Sequence, residues 1–172
     1  YCVFAGLEGE GYESWTCFFI ERDTPGFRPV RTELKMGMRA SGAAELEFVD
    51  VFVPDEDVVG KLRGGWSLNR QTLNLSRTPV GAMAVGFAQA ACDIAIDYAR
   101  TTQFGGRPLI HEQSVQLALA DVMTQTSTLR ALLWSVASQW KVRQSAPAMV
   151  KFTTTDGAMN VIEQCMDLLG PA

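Results

Sequence analysis

Between residues 98 and 121 the chain gathers groups able to grip a polar ligand. They are the Arg100 guanidinium, the hydroxyls of Thr101 and Thr102, and the amides of Gln103, Gln113 and Gln116. They fall where one apolar segment ends and another begins, around Gly105-Gly106 and Pro108, residues that interrupt a helix. Other reactive groups are sparse. His111, the single histidine, stands beside this break and reads as a solvated loop residue. Glu112, Asp121, Glu163 and Asp167 read as helix-surface, capping or interface carboxylates rather than catalytic ones. Cys2, Cys17, Cys92 and Cys165 show no CxxC spacing and no companion histidines, which argues against zinc. They read as free buried thiols of a reducing compartment.

The elements that must position these groups come in two kinds. Strand signals fill the first 54 residues: Thr16 to Ile20, then Phe27 to Val30 after the turn Asp23-Thr24-Pro25-Gly26, then Ala44 to Val53. In the last of these, Leu46 and Phe48 alternate with Glu45 and Glu47. Val49, Val51, Phe52 and Val53 are apolar on both faces and predict a half covered on both sides. Gly60 to Gly65 reads as the domain boundary, dividing residues 1–60 from 66–172. Beyond it the period is helical.

Leu73, Val80, Ala84, Phe87, Ala91 and Ile94 or Ala95 predict the buried stripe of a first helix, kinked or shortened at Pro79. A second helix is expected over 112–142, with Val115, Leu119, Val122, Leu129, Leu132, Val136 and Trp140 in its core. Ser145 and Pro147 mark a break, and a third helix runs over 148–169 to the Gly170-Pro171 stop. The longest uncharged run, Thr78 to Cys92, is too short to span a bilayer and reads as a buried bundle helix. The net charge of −4 argues against nucleic acid as a partner. With no targeting segment visible, the opening at Tyr1 and the stop at Leu-Leu-Gly-Pro-Ala suggest an internal piece of something longer.

Taken in order, several segments resemble the acyl-CoA dehydrogenase family. They are Phe-Phe-Ile-Glu-Arg-Asp-Thr-Pro-Gly-Phe (18–27), Leu-Lys-Met-Gly-Met-Arg-Ala-Ser (34–41) and Ala-Glu-Leu-Glu-Phe-Val-Asp-Val-Phe-Val-Pro (44–54). Arg77 with Gly86-Phe87-Ala88-Gln89, then Gln103-Phe104-Gly105 with Gln113-Ser114-Val115-Gln116, and finally Leu168-Leu169-Gly170, continue the series. The resemblance implies an α+β chain that is mainly α. The end of a β-barrel-like middle domain would lead into an antiparallel four-helix-bundle-type C-terminal domain. It also implies FAD, an acyl-CoA or acyl-carrier substrate, and electron-transfer flavoprotein or another acceptor. A homodimer or homotetramer is implied, in which one helical domain completes its neighbour's FAD site. The implied location is the cytoplasm, or the mitochondrial matrix in a eukaryote.

Residue by residue, the resemblance puts Leu73, Asn74 and Arg77 on the coenzyme A side, and Arg100, Gln103, Phe104, Gln113 and Gly170 on the FAD side. The family base is a Glu expected beyond residue 172. A minority of members carry it at the position of Ser76, which cannot serve. The chain also departs from the family. The interval from Tyr98-Ala99 to Gln103, within which the family carries an arginine, is one residue shorter than usual, so Arg100 must reach from a shifted position or the pyrophosphate contact is lost. Asp167 stands where a glutamine is common, and Pro171 replaces a second glycine. Two other readings stay open: a flavin-dependent monooxygenase or oxidase on the same fold, and a helical interaction module without catalysis.

Overall fold

The computed structural model describes residues 1–8, 11–139 and 145–170, and divides into two compact units, Tyr1–Gln71 and Thr72–Ala172. In the first unit, β1 (Cys2–Gly6) pairs antiparallel with β2 (Trp15–Phe19), which pairs in turn with β5 (Val58–Val59). A separate hairpin joins β3 (Phe27–Thr32) to β4 (Ala44–Phe48), with a register shift between Pro29 and Arg31. Proline has no N–H for the ladder, which accounts for a break beside it.

The Thr24-Pro25-Gly26-Phe27 turn closes by a 3.1 Å bond from the Phe27 amide to the Thr24 carbonyl. Gly26 has φ +85°, and a Cβ there would lie 2.1 Å from the Val49 carbonyl oxygen, so only glycine fits. Phe27 stacks on Phe48 at 5.0 Å and fixes the hairpin's register.

The expected strand over 44–53 stops at Phe48. Asp50 has φ 49°, which turns the chain, and Phe52 is 81% exposed. The apolar run after Phe48 is therefore not a strand covered on both faces. Val51, Phe52 and Val53 instead line an open apolar cavity of about 550 Å³ with Val3, Phe18 and Phe48. Gly65 packs closely on β2. A Cβ on Gly65 would meet the Trp15 carbonyl at 2.8 Å, and the Arg63 amide donates to Thr16 Oγ1 at 2.9 Å. Tyr12, Trp15 and Trp66 form an aromatic cluster over this contact.

Three long helices carry the second unit: α1 (Gly65–Thr101, beginning in the first unit), α2 (Gln113–Ala137) and α3 (Ser145–Leu169). Their buried positions recur every three or four residues. On α1 these are Ala84, Ala88, Cys92, Ala95 and Ala99. On α2 they are Val115, Leu119, Val122, Thr126, Leu129, Leu133 and Val136. Val150, Thr154, Ala158, Val161 and Cys165 follow on α3.

The stripe expected for α1 is thus only half right. Leu73, Val80, Phe87 and Ile94 are exposed, at 48, 37, 53 and 58%. They recur every seven residues and form a second apolar face. A helix apolar on two faces gives a periodicity that cannot choose between them, and here the small residues take the core. α1 also runs uninterrupted through Pro79. As a whole it is the one helix among the described residues long and apolar enough to cross a bilayer, longer than its uncharged run suggests. Its small-residue face is instead packed against α2 and α3.

α2 ends at Ala137, short of 142, with Ser138 as its C-cap. Leu133 is buried where Leu132 is expected, Leu132 packs partly buried beside it, and Trp140 lies outside the described residues. α3 begins three residues early, since Pro147 falls in the first turn, where its missing N–H costs nothing. It ends as expected, with Gly170 at φ 68° and its amide on the Met166 carbonyl. Of the cysteines, Cys2 is exposed, contrary to expectation, and the other three are buried.

At Gly81 α1 comes close against α3. A Cβ there would lie 2.7 Å from Thr154 Oγ1 and 3.1 Å from Val150 Cγ1, and Thr154 is pinned by its own bond to the Val150 carbonyl. Gly81→Ala should therefore lower stability by about 1–2 kcal/mol despite alanine's better helix propensity. Gly86→Ala, with nothing within 4 Å, should raise it by up to about 1 kcal/mol. Urea unfolding of both variants checks the contrast.

Burial, with Cys92 adjacent, pushes the Cys165 thiol up to about 12 from its usual 9.0. The unfolded chain ionises this thiol first, so stability should be complete below pH 9 and fall as pH rises toward 12. Cys165→Ser should remove that alkaline loss in the unfolding midpoint.

Candidate functional site

α1 closes its last turn on itself. Thr101 Oγ1 donates to the Asp97 carbonyl at 2.8 Å and the Thr102 amide to the Tyr98 carbonyl at 2.8 Å. Two short strands follow, β6 (Gln103–Phe104) and β7 (Arg107–Pro108), joined by Gly105 and Gly106 at φ 59° and 83°. Two consecutive positive φ values are the signature of a type I′ hairpin, which glycine adopts without strain. The Leu109 amide bonds back to the Thr102 carbonyl at 2.8 Å, and one 3-10 turn (Leu109–His111) leads into α2. Gln116 Nε2 donates to the Ile110 carbonyl at 3.0 Å and ties that turn to the helix.

The register fixes which side chains share a face. Phe104 lies opposite Arg107, and Gln103 opposite Pro108, so Phe104 and Arg107 project together from one side of the ribbon. Phe104 is 62% exposed. Arg107 is anchored to Glu112 Oε1 through Nε at 3.0 Å and Nη2 at 2.7 Å. Arg100 projects from the helix end, 3.9 Å from Asp97. Gln113 starts α2 and is exposed, as is His111. Leu109, Ile110 and Leu168 all pack, partly buried, against the core cluster shared by the three helices. Gln125 meets Gln164 and Leu129 meets Gly157, so α3 runs antiparallel to α2 and its end, with Gly170, lies toward the hairpin end of the bundle. No atom stands within 4 Å of where a Cβ on Gly170 would sit. Pro171 lies outside the described residues.

At the other end of α1, Arg77 Nη1 donates to Asn74 Oδ1, and Ser76 Oγ donates to the Leu73 carbonyl. Arg77 and Asn74 are half-buried and Leu73 is exposed. Arg77 and Arg100 lie on one continuous helix, so the rise of an α-helix separates them by roughly 35 Å. The structure brings Leu73, Asn74 and Arg77 together, and separately Gln103, Phe104, Gln113 and the end of α3. It does not bring the two groups together within one chain.

Asp121, Glu163 and Asp167 are all exposed, and Glu112 is engaged by Arg107. Among the described residues no group of His, Cys, Asp and Glu is arranged to hold a metal ion. Sequence reasoning passed over Arg107 and its tie to Glu112. Their opposite charges five residues apart were visible, but the shared face with Phe104 depends on the hairpin register.

Residues 63–172 match the family described as "Acyl-CoA dehydrogenase, C-terminal domain". The chain belongs to the acyl-CoA dehydrogenase family. Within it, the chain is 32% identical over 99% of its length to the short/branched chain specific acyl-CoA dehydrogenase of rat mitochondria (Rattus norvegicus), covering 40% of that protein. The butyryl-CoA dehydrogenase structure from Megasphaera elsdenii superposes with a TM-score of 0.94 at 34% identity, over 99% of this chain and 46% of that one. A chain of the Acidaminococcus fermentans electron transferring flavoprotein structure gives 0.93 at 33% identity, again over 99% and 46%. The chain thus spans less than half the length of the acyl-CoA dehydrogenases it matches. The mainly helical architecture, with antiparallel strands before the bundle, is that of the family's second half.

The donor set at the hairpin end suits the family's flavin dinucleotide. An exposed aromatic ring offers a surface for an adenine. Guanidinium and amide N–H groups offer donors for phosphate and ribose oxygens. The Asn74–Arg77 pair offers the same donors to a nucleotide at the opposite end of the helix.

Proposed function

We propose that the intact protein is an FAD-dependent dehydrogenase that introduces a double bond between the α and β carbons of an acyl-CoA or acyl-carrier thioester. The observation that carries this reading, beside the family match, is the separation of the two donor clusters along α1. The two clusters lie about 35 Å apart on one helix, and each suits the nucleotide end of an extended ligand rather than its reacting end. We assign the two ligands to two copies of the chain. The Asn74–Arg77 end holds the nucleotide of the substrate bound in its own protomer. The hairpin end, with Gln103, Phe104, Gln113 and Gly170 and a guanidinium from Arg100 or Arg107, holds FAD belonging to a neighbour. A homodimer or homotetramer is part of this assignment.

FAD, when bound, supplies the acceptor for the β-hydrogen. This chain's residues orient and exclude water. Arg77, held by Asn74, fixes the substrate's phosphates so that the acyl chain enters in one direction. The exposed apolar face of Leu73, Val80 and Phe87 continues beside it and suits a hydrocarbon chain or another apolar helix. Ser76 is engaged with the Leu73 carbonyl and has no basicity to take an α-proton, so the base is assigned to a glutamate outside these 172 residues. Electrons leave to electron-transfer flavoprotein or another acceptor, in the cytoplasm or the mitochondrial matrix.

The intact protein should purify with a flavin absorbance band that bleaches on anaerobic addition of an acyl-CoA. Protein that purifies and reconstitutes without flavin would reject the reading. Arg77→Ala should raise KM for acyl-CoA about tenfold or more with a much smaller change in kcat, because it removes a charge-assisted contact remote from the reacting carbons. Steady-state kinetics with an artificial electron acceptor measures both.

A further inference from the structure

Two guanidiniums stand near the hairpin, and only one is built to face what Phe104 faces. We infer that Arg107, not Arg100, is the arginine that binds the phosphates of the dinucleotide in this chain. The inference rests on the reading that the hairpin end holds FAD.

Arg100 is poorly placed for that task. It lies in the last turn of α1, its side chain is 65% exposed, and its nearest charged neighbour is Asp97, one turn back on the same helix face. No hydrogen bond fixes its direction. The interval that follows is one residue shorter than the resemblance implies. Thr101, which would have to help it, has its hydroxyl turned back onto the Asp97 and Tyr98 carbonyls at 2.8 and 3.3 Å.

Arg107, comparably exposed, is instead held in a defined direction. It stands directly opposite Phe104 across the ribbon, so ring and guanidinium share a face. The two residues between them are glycines, so no turn side chain shields that face. Glu112 Oε1 accepts from both Nε and Nη2, which fixes the plane of the guanidinium and leaves the Nη1 edge as the free one. Glu112 is the more enclosed partner, with its side chain 27% exposed against 58% for Arg107. The carboxylate thus sits behind the cation, and the cation faces outward. An adenine lying on Phe104 would leave its phosphates within the span of the Arg107 fork, where paired donors match two oxygens. Because Glu112 balances the charge, Arg107 contributes directed hydrogen bonds more than bulk attraction.

FAD titrations of apo-protein prepared from the intact enzyme, followed by flavin fluorescence, test this without using activity. Arg107→Ala should raise the Kd for FAD about tenfold or more, as expected for a lost charge-assisted pair. Arg100→Ala should change it less than about twofold, within the small effect of an exposed ion pair. Glu112→Gln should leave FAD binding equal or tighter, because it removes a carboxylate near the phosphates. Weakening by Glu112→Gln as large as that by Arg107→Ala would make the pair a structural strut and overturn the inference. So would a loss in Arg100→Ala equal to or greater than that in Arg107→Ala. Wild-type apo-protein that takes up no FAD would instead overturn the parent reading, and the two failures are distinguishable.

Discussion

The close contact between α1 and α3 at Gly81 is the constraint on which the placement of α1 in the bundle depends. The absence of a side chain there lets Thr154 and Val150 come against the α1 backbone, and the small residues Ala84, Ala88, Cys92, Ala95 and Ala99 extend that approach toward the helix's end. Small residues bury little area each, so such a face contributes through close packing of backbone and β-carbons rather than through large side chains. The threonines that meet it, Thr126 and Thr154, satisfy their hydroxyls on their own helices at 2.8 and 2.7 Å. The core therefore accepts polar atoms without leaving them unpaired.

That packing frees the opposite face of α1 and fixes its end. Large apolar residues at seven-residue intervals, Leu73, Val80, Phe87 and Ile94, are left to other surfaces. Beyond Thr101 the chain can turn only through the glycine hairpin before α2 returns along the bundle. Leu109 and Ile110 pack the return against the core cluster shared by the three helices. A short rigid ribbon is the outcome, held at a defined position and carrying an exposed ring and a clamped guanidinium. A ligand site on a ribbon tied at both ends loses less conformational freedom on binding than one on a loose loop.

Much of this was legible in the residues. The turn at Pro25-Gly26, the helical stop at Gly170, the break around Gly105-Gly106 and the α2 stripe through Val115, Leu119, Val122, Leu129 and Val136 all follow from local chemistry. What was not legible depended on choices local chemistry leaves open. α1 is apolar on two faces, so its pattern could not say that Ala88 and Cys92 are inside while Phe87 and Ile94 are outside. The run after Phe48 is apolar enough for a buried strand, but Asp50 takes a positive φ and ends it. At the candidate site, Arg107 could be seen as a charge but not as a neighbour of Phe104. That relation exists only once the two-residue turn sets the register.

The account turns on the hairpin between α1 and α2 being a cofactor contact. Backbone hydrogen–deuterium exchange over residues 102–113 of the intact protein, compared between its FAD-loaded and flavin-free forms, tests that directly. Slower exchange across Gln103 to Gln113 in the loaded form is the predicted result. Equal exchange in the two forms, with flavin demonstrably bound, would contradict it.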